Sequence, residues 1–253
     1  MLDKDTLAGK AAARHLSIRN AEKDYLLETC LFVISREGRS LVFKGGTALY
    51  KFHNLNRFSE DLDFTLAARR FDAERLRDRL ARSAEAIGIG TRAMPVEAFR
   101  NQTNLRFLFR GPLYDGRPAG LANVALNISL RERPVTGERR MLVPVYEELP
   151  AFELYVMEGR ELLAEKIRAV LTREKPRDVY DAWFLLRKGV AIDIPLVNRK
   201  LKAHDKIYSA PGFIDAMRGK RGRWRSDLHD LIIGRVPDFD EVAAEIEERA
   251  GKE

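Results

Sequence analysis

The sequence predicts an α+β protein in which a mixed α/β half precedes a helical half, with the boundary near residue 158. Three observations carry this reading. Short apolar runs and alternating segments of strand character interleave with helical spacings as far as Met157. Beyond Gly159 the texture is helical throughout, and no fixed-period repeat or low-complexity segment interrupts the chain. The expected domains are residues 1–158 and 159–253. With 253 residues, 45% apolar and 33% charged, the chain can bury a core without a metal or disulfide staple. A small stapled peptide and a disordered chain are both excluded.

The elements follow in order. Leu26, Leu27, Cys30, Leu31 and Ile34 recur at helical spacing, and Gly38 is a stop signal for a helix beginning near Ile18. Leu41-Val42-Phe43 is a short strand that stops at Gly45-Gly46, and Thr47 to Phe52 starts a helix directly after it. Asp61-Leu62-Asp63-Phe64-Thr65 alternates as a half-buried strand does, and a helix spans Phe71 to Ile87. Leu105 to Phe109 and Val124 to Leu130 are strands joined through Tyr114 to Gly120, where Asp115-Gly116 and Pro118 supply turn chemistry. Met141 to Tyr146 and Phe152 to Met157 are further strands. Helices are expected at Glu161–Thr172, Arg177–Lys188, Pro195–Ala203 and Phe239–Arg249.

Lys and Arg total 45 against 38 for Asp and Glu, a formal charge of +7, which favours an anionic partner. Six arginines fall between Arg69 and Arg82. That helix is either a nucleic-acid surface or a solvated face balanced by Glu74 and Asp78. Arg218, Lys220, Arg221, Arg223 and Arg225 surround Trp224 in an expected loop, a composition suited either to RNA contact or to a surface loop anchored by its tryptophan. The lone Cys30 lies in an apolar run and reads as a buried packing thiol. His15, His53, His204 and His229 lack metal-ligand spacing. No run of apolar residues is long enough for a membrane span, and the first ten residues are charged, so an unprocessed cytoplasmic protein is expected.

Two local patterns carry chemistry. Asp61 and Asp63 are two apart on a strand, so both carboxylates share a face and repel unless a cation sits between them. Magnesium, which takes oxygen ligands, suits such a pair, and two-metal sites use it for phosphoryl or nucleotidyl displacement. Upstream, Gly45-Gly46 lets a ligand approach the backbone, and the following helix N-terminus offers free N–H groups to phosphate, with a hydroxyl from Thr47. A plain strand-to-helix turn is the competing reading.

Together, Lys44-Gly45-Gly46-Thr47-Ala48-Leu49 and Arg57-Phe58-Ser59-Glu60-Asp61-Leu62-Asp63-Phe64 resemble the nucleotidyltransferases of the AbiEii/AbiGii toxin type, in the polymerase-β-like superfamily and type IV toxin–antitoxin systems. The resemblance implies a polymerase-β-like core of mixed sheet and helices, completed by the helical C-terminal half. It implies that Lys44, Gly45, Gly46, Thr47, Arg57 and Ser59 handle nucleotide and that Asp61 and Asp63 ligate magnesium, two ions in all. On the later helices, Lys166 falls on the apolar stripe of Leu163, Ile167 and Val170; either its stem packs there with the ammonium reaching water, or it holds an anion. Asp178 and Asp181 share a helix face, and Asp178 suits the first-turn dipole. Glu161-Leu162-Leu163-Ala164-Glu165-Lys166 and Arg177-Asp178-Val179-Tyr180-Asp181 look like the family's third and fourth motifs, which implies that Lys166 assists triphosphate binding and that Asp178 or Asp181 completes the catalytic set. A third strand acid common in the superfamily is replaced by Asn127.

The resemblance implies a magnesium-dependent toxin, with a role in phage defence, that moves a nucleoside monophosphate from an NTP to an acceptor hydroxyl and releases pyrophosphate. An RNA such as a tRNA 3′ end is the expected acceptor, and a cognate antitoxin the expected partner. Transfer to a protein or small molecule, or a non-catalytic nucleic-acid-binding protein, are the alternatives.

Overall fold

The computed structural model describes residues 1–251. The chain forms two compact units, one of Met1–Asn54 and Phe58–Met157, the other of Leu55–Arg57 and the residues from Glu158 onward.

The first unit opens with α1 (Lys4–Ala13) and α2 (Ile18–Ile34), the latter started by the Ser17 side chain, which accepts from the Asn20 N–H. Helical geometry then tightens through a short 3₁₀ segment, where Gly38 takes φ +56° before the chain enters β1 (Leu41–Lys44). All four β1 residues are buried, as the apolar run predicts for a central strand. Next come α3 (Gly45–His53), β2 (Leu62–Leu66), α4 (Ala73–Ala86), β3 (Gly90–Ala93), β4 (Glu97–Phe99), β5 (Gln102–Arg110), β6 (Ala122–Ser129), β7 (Glu138–Leu142) and β8 (Phe152–Val156).

These strands make one mixed sheet in the order β3-β5-β6-β2-β1-β8-β7, with β4 also paired to β5. The β1–β8 and β2–β6 pairs are parallel; the other pairs are antiparallel. One sheet face carries Leu62, Phe64, Leu105, Phe107, Phe109, Val124, Leu126 and Ile128 into a core shared with α2 and α4. The opposite face carries the polar residues that alternate with them.

The second unit contains α5 (Gly159–Thr172), α6 (Pro176–Arg187), α7 (Ile194–Leu201), α8 (Ala210–Arg218), α9 (Trp224–Leu228) and α10 (Phe239–Ala250). Lys200 on α7, fully buried, donates to Glu161 at 2.6 Å and Glu165 at 3.4 Å, tying α7 to α5. The buried ammonium is thereby paired, as burial requires.

Several expectations shift. The first acid of the pair, Asp61, lies just before β2 rather than within it. The seventh strand is Glu138–Leu142 instead of Met141–Tyr146, and Tyr146 is a core residue. The expected basic loop is largely helical: Arg218 ends α8, Arg221–Arg223 is a 3₁₀ turn and Trp224 begins α9. Trp224 is buried, donates to the Pro237 carbonyl at 2.9 Å and meets Phe239 edge-on at 5.4 Å. It is a core anchor with no face free to stack a base.

Candidate functional site

In the first unit the glycine turn and the acidic pair meet. Lys44 pairs with Asp63 across the antiparallel β1–β2 ladder, so the chain leaving β1 passes directly beside the second acid. Gly45, the first residue of α3, has φ +80°, a left-handed conformation that side chains resist. A Cβ there would lie 2.6 Å from Asp63 Oδ2. Glycine is required twice over, by the backbone and by the carboxylate. Gly46 and Thr47 complete the first turn of α3, whose N–H groups have no intrahelical partners. The Thr47 side chain is buried, and its hydroxyl donates to the Asp61 carbonyl at 2.5 Å. That hydroxyl ties the start of α3 to the Asp61 backbone.

Asp61 and Asp63 are each partly exposed. Asn127 lies opposite Asp63 on β6, and its amide donates to Asp63 Oδ1 at 3.1 Å. The Asp63 carboxylate thus lies at the mouth of the turn, held there by an amide N–H, with Asp61 two residues before it. Among the described residues no group of three or more His, Cys, Asp or Glu side chains is arranged to hold a metal. A cation here would take the two carboxylates and complete its shell with phosphate oxygens and water, which suits magnesium better than zinc. Ser59 is partly exposed two residues before Asp61, and Lys44 is largely buried at the strand end.

Behind the turn lies an ionic brace that the sequence reading missed. Lys51 on α3 reaches Asp24 and Glu28 of α2, both at 2.6 Å, and Arg14 also pairs with Asp24. Tyr146 donates to the Ala21 carbonyl at 2.8 Å beside them. Burial pushes the Asp24 carboxyl up, but the Lys51 and Arg14 charges outweigh it and hold its pKa below the ordinary value. The signal was present: Asp24 and Glu28 sit one turn apart within an otherwise apolar helix stripe.

The second unit holds the other residues singled out. Arg57 is buried and forks onto Asp181, Nε to Oδ1 at 2.8 Å and Nη2 to Oδ2 at 2.9 Å. Lys166 of α5 reaches Asp181 at 2.7 Å and Asp178 at 3.3 Å, both on α6. Its ammonium therefore turns inward to the two acids, neither covering surface nor standing in water. Burial alone would raise Asp181, yet Arg57 and Lys166 hold it at about 2. Burial lowers Lys166, and Asp181 with Asp178 reverses this, so its pKa ends above the ordinary value. Tyr180 donates to Asn56 at 2.6 Å, fixing the same short segment that carries Arg57. Asp178 Oδ2 is buried with no hydrogen-bond partner among the described residues.

The tail cluster is largely neutralised by acids, whereas in the Arg69–Arg82 stretch Arg77 and Arg79 have carboxylate partners. Arg77 pairs with Glu74 and Asp78, and Arg79 with Glu37. Arg218, Arg221 and Arg223 pair with Glu247, Asp240 and Asp227. Lys220 is buried and donates to the Val170 and Ala216 carbonyls. Among the described residues no helix is long and apolar enough to cross a membrane.

Comparison with known proteins places this geometry. The family described as "Nucleotidyl transferase AbiEii toxin, Type IV TA system" matches residues 25–245. Solved structures with the same fold include MenT4, the nucleotidyltransferase toxin Rv2826c from Mycobacterium tuberculosis H37Rv, at TM-score 0.67 and 21% identity, covering 98% of this chain and 88% of that one. A putative nucleotidyltransferase from Helicobacter pylori aligns at TM-score 0.64 and 22% identity over 94% of this chain and 95% of that one. JHP933 from Helicobacter pylori aligns at TM-score 0.59 and 22% identity, over 94% and 92%. No curated protein matches the sequence.

Proposed function

Because the chain belongs to the AbiEii family of nucleotidyltransferase toxins of type IV toxin–antitoxin systems, we propose that it transfers a nucleoside monophosphate from an NTP to the hydroxyl of an RNA 3′ end. The observation that carries this reading is the apposition of Gly45 and Asp63, which sets a phosphate-ready helix N-terminus against an acidic pair. The acceptor oxygen attacks the α-phosphorus, a new O–P bond forms, the bond to pyrophosphate breaks, and the acceptor proton is lost to solvent.

Asp61 and Asp63 would hold magnesium, which when bound supplies charge neutralisation for the triphosphate and eases ionisation of the acceptor hydroxyl. The backbone N–H groups at the start of α3 are offered to phosphate oxygens, while the missing side chain of Gly45 makes room for the Asp63 carboxylate. Thr47 holds the Asp61 backbone, and Asn127 orients Asp63 by donating to it. An amide cannot take a proton, so Asn127 orients and does not act as a base. Ser59 and Lys44 are assigned to the triphosphate. Lys166, with Asp178 and Asp181, is assigned to nucleotide handling in the second unit, and Arg57 braces that set through Asp181. The family membership implies a cognate antitoxin as partner.

The test is incubation with each labelled NTP, magnesium and total RNA. Label entering RNA, lost in the Asp61→Asn/Asp63→Asn double variant while the fold persists, is the expected result. Absence of label in RNA under varied metals removes the RNA-acceptor reading, and survival of activity in the double variant removes the assigned metal site.

A further inference from the structure

The open face of the first unit's sheet carries a surface that the assignments above leave unused. Register places Asp63, Asn127, Asn104 and Glu97 in one row across β2, β6, β5 and β4. Paired residues share a face, so all four side chains lie on one side of the sheet, that of Asp63. One pleat further along β5, Arg106 pairs with Ala125, whose neighbour Leu126 pairs with Leu62. Arg106 therefore stands two strands from the start of β2, about 10 Å away at normal strand spacing, with only a methyl group between.

This face carries exposed arginines and an exposed aromatic ring. Arg92, opposite Leu108 on β3, projects on the same side; it and Arg100 are exposed with no acidic partner among the described residues. Arg106 is 55% exposed, with Glu97 at 3.8 Å as its loose counter-ion. Phe99 pairs with Gln102, lies on the same face and is 58% exposed. A large ring left in water on a face that also carries exposed guanidinium groups and amides is poor packing for a sheet face and good chemistry for a base-bearing polyanion: the ring stacks, arginines track phosphodiesters and amides meet base edges. By contrast, Arg77 and Arg79 of α4 and Arg218, Arg221 and Arg223 of the second unit are held by carboxylates.

Resting on the transferase reading above, we infer that the β4–β5 hairpin face, through Phe99, Arg92, Arg100 and Arg106, is the docking platform for the single-stranded end of the RNA acceptor. The strand lies across β5 and β6 and delivers its terminus toward Asp61 and Asp63.

The experiment is fluorescence anisotropy of a labelled single-stranded RNA oligonucleotide with the full chain over a range of salt. Phe99→Ala should weaken binding about tenfold, and Phe99→Trp should restore it. Arg92→Ala/Arg106→Ala should weaken binding and reduce the salt slope by about 1.4, the value for two lost single-strand phosphate contacts. Arg75→Ala/Arg82→Ala on α4 removes the same charge from exposed positions and should leave affinity near the parent value. Equal loss in the α4 pair, or no loss in the Phe99 and Arg92/Arg106 variants, overturns the inference. Calorimetry of NTP with magnesium is read separately. Metal-dependent NTP binding with RNA affinity indifferent to this face defeats the platform alone; absent NTP binding defeats the transferase reading, and the anisotropy still reports on the platform. Labelling of a protein acceptor, with RNA affinity indifferent to these substitutions, also overturns it.

Discussion

A side-chain carbon on Gly45 would lie 2.6 Å from Oδ2 of Asp63, and the backbone at Gly45 is left-handed at φ +80°. The turn and the carboxylate are thus fitted to each other so closely that even a methyl group displaces one of them. Gly45→Ala is expected to lose about 1–2 kcal/mol of stability through backbone strain. Transfer should fall about 100-fold, because misplacing a reacting group by an ångström has that effect. Thermal unfolding alongside the rate of NTP incorporation measures both. A parental rate in this variant would show that the close fit of Gly45 to Asp63 is not needed for transfer.

The Asn127–Asp63 hydrogen bond makes a second expectation. Asn127→Asp replaces a donor by a carboxylate at a site whose partner oxygen is 3.1 Å from the present amide nitrogen. Without metal, like charges this close should cost about 1 kcal/mol or more near neutral pH. Magnesium should recover that loss, so the metal-induced rise in Tm is larger in the variant than in the parent. Melting curves in chelator and in magnesium read the difference; equal shifts in the two proteins would show that Asp63 does not face a cation.

Asp181 sets an acid-stability limb. Its pKa in the folded protein is about 2, below the ordinary 3.8, because Arg57 and Lys166 outweigh its burial. The stabilisation is fully present above about pH 4 and is lost as pH falls through the folded value, a contribution of about 2 kcal/mol. Asp181→Asn should flatten this part of the urea-unfolding profile. It should also lower stability at pH 7 by about 3–5 kcal/mol, since Arg57 and Lys166 are left buried against an amide. Lys166 works in the opposite sense: its contribution holds below its ordinary value of 10.5 and is lost only above it, as pH rises through the raised folded value.

Trp224 and the arginines around it should behave as structural and surface residues respectively. Trp224→Ala removes a buried ring and the bond to Pro237, with an expected loss of about 3–5 kcal/mol. Arg221→Ala, which breaks an exposed pair with Asp240, should change stability by no more than about 0.5 kcal/mol. Chemical denaturation of the two variants separates these outcomes.

What could be read from the chain follows from how local each feature is. The β1–glycine–α3 unit was legible because an apolar triplet ends at two glycines, and β5 and β6 because one face of each is buried. By contrast, α1 buries only Leu7 and Ala11, too few to print a periodicity, and β3 and β4 are edge pieces of four and three residues with little buried surface. The tail read as a basic loop because its charges are neutralised by acids distant in sequence, such as Glu247 for Arg218. Of the candidate residues, Asp61 and Asp63 stood out through their spacing together with the glycine turn upstream, a local combination. The pairing of Arg57 with Asp181 spans 124 positions and leaves no local pattern. The acidic partners that turn Lys166 inward were visible in the sequence, but their contact with it was not.

Leu55–Arg57 belong to the second unit although the chain on either side of them belongs to the first. The break at Met157 is therefore no place to cut the polypeptide. A fragment starting at Glu158 would lack the guanidinium that forks onto Asp181 and the Asn56 acceptor of Tyr180, so it would begin life with a buried acid short of one partner. Split-protein complementation or domain exchange in this scaffold must carry the tripeptide with the helices. The same constraint keeps the link between α3 and β2 at a fixed length, so insertions there should be far less tolerated than in the exposed turn around Gly116.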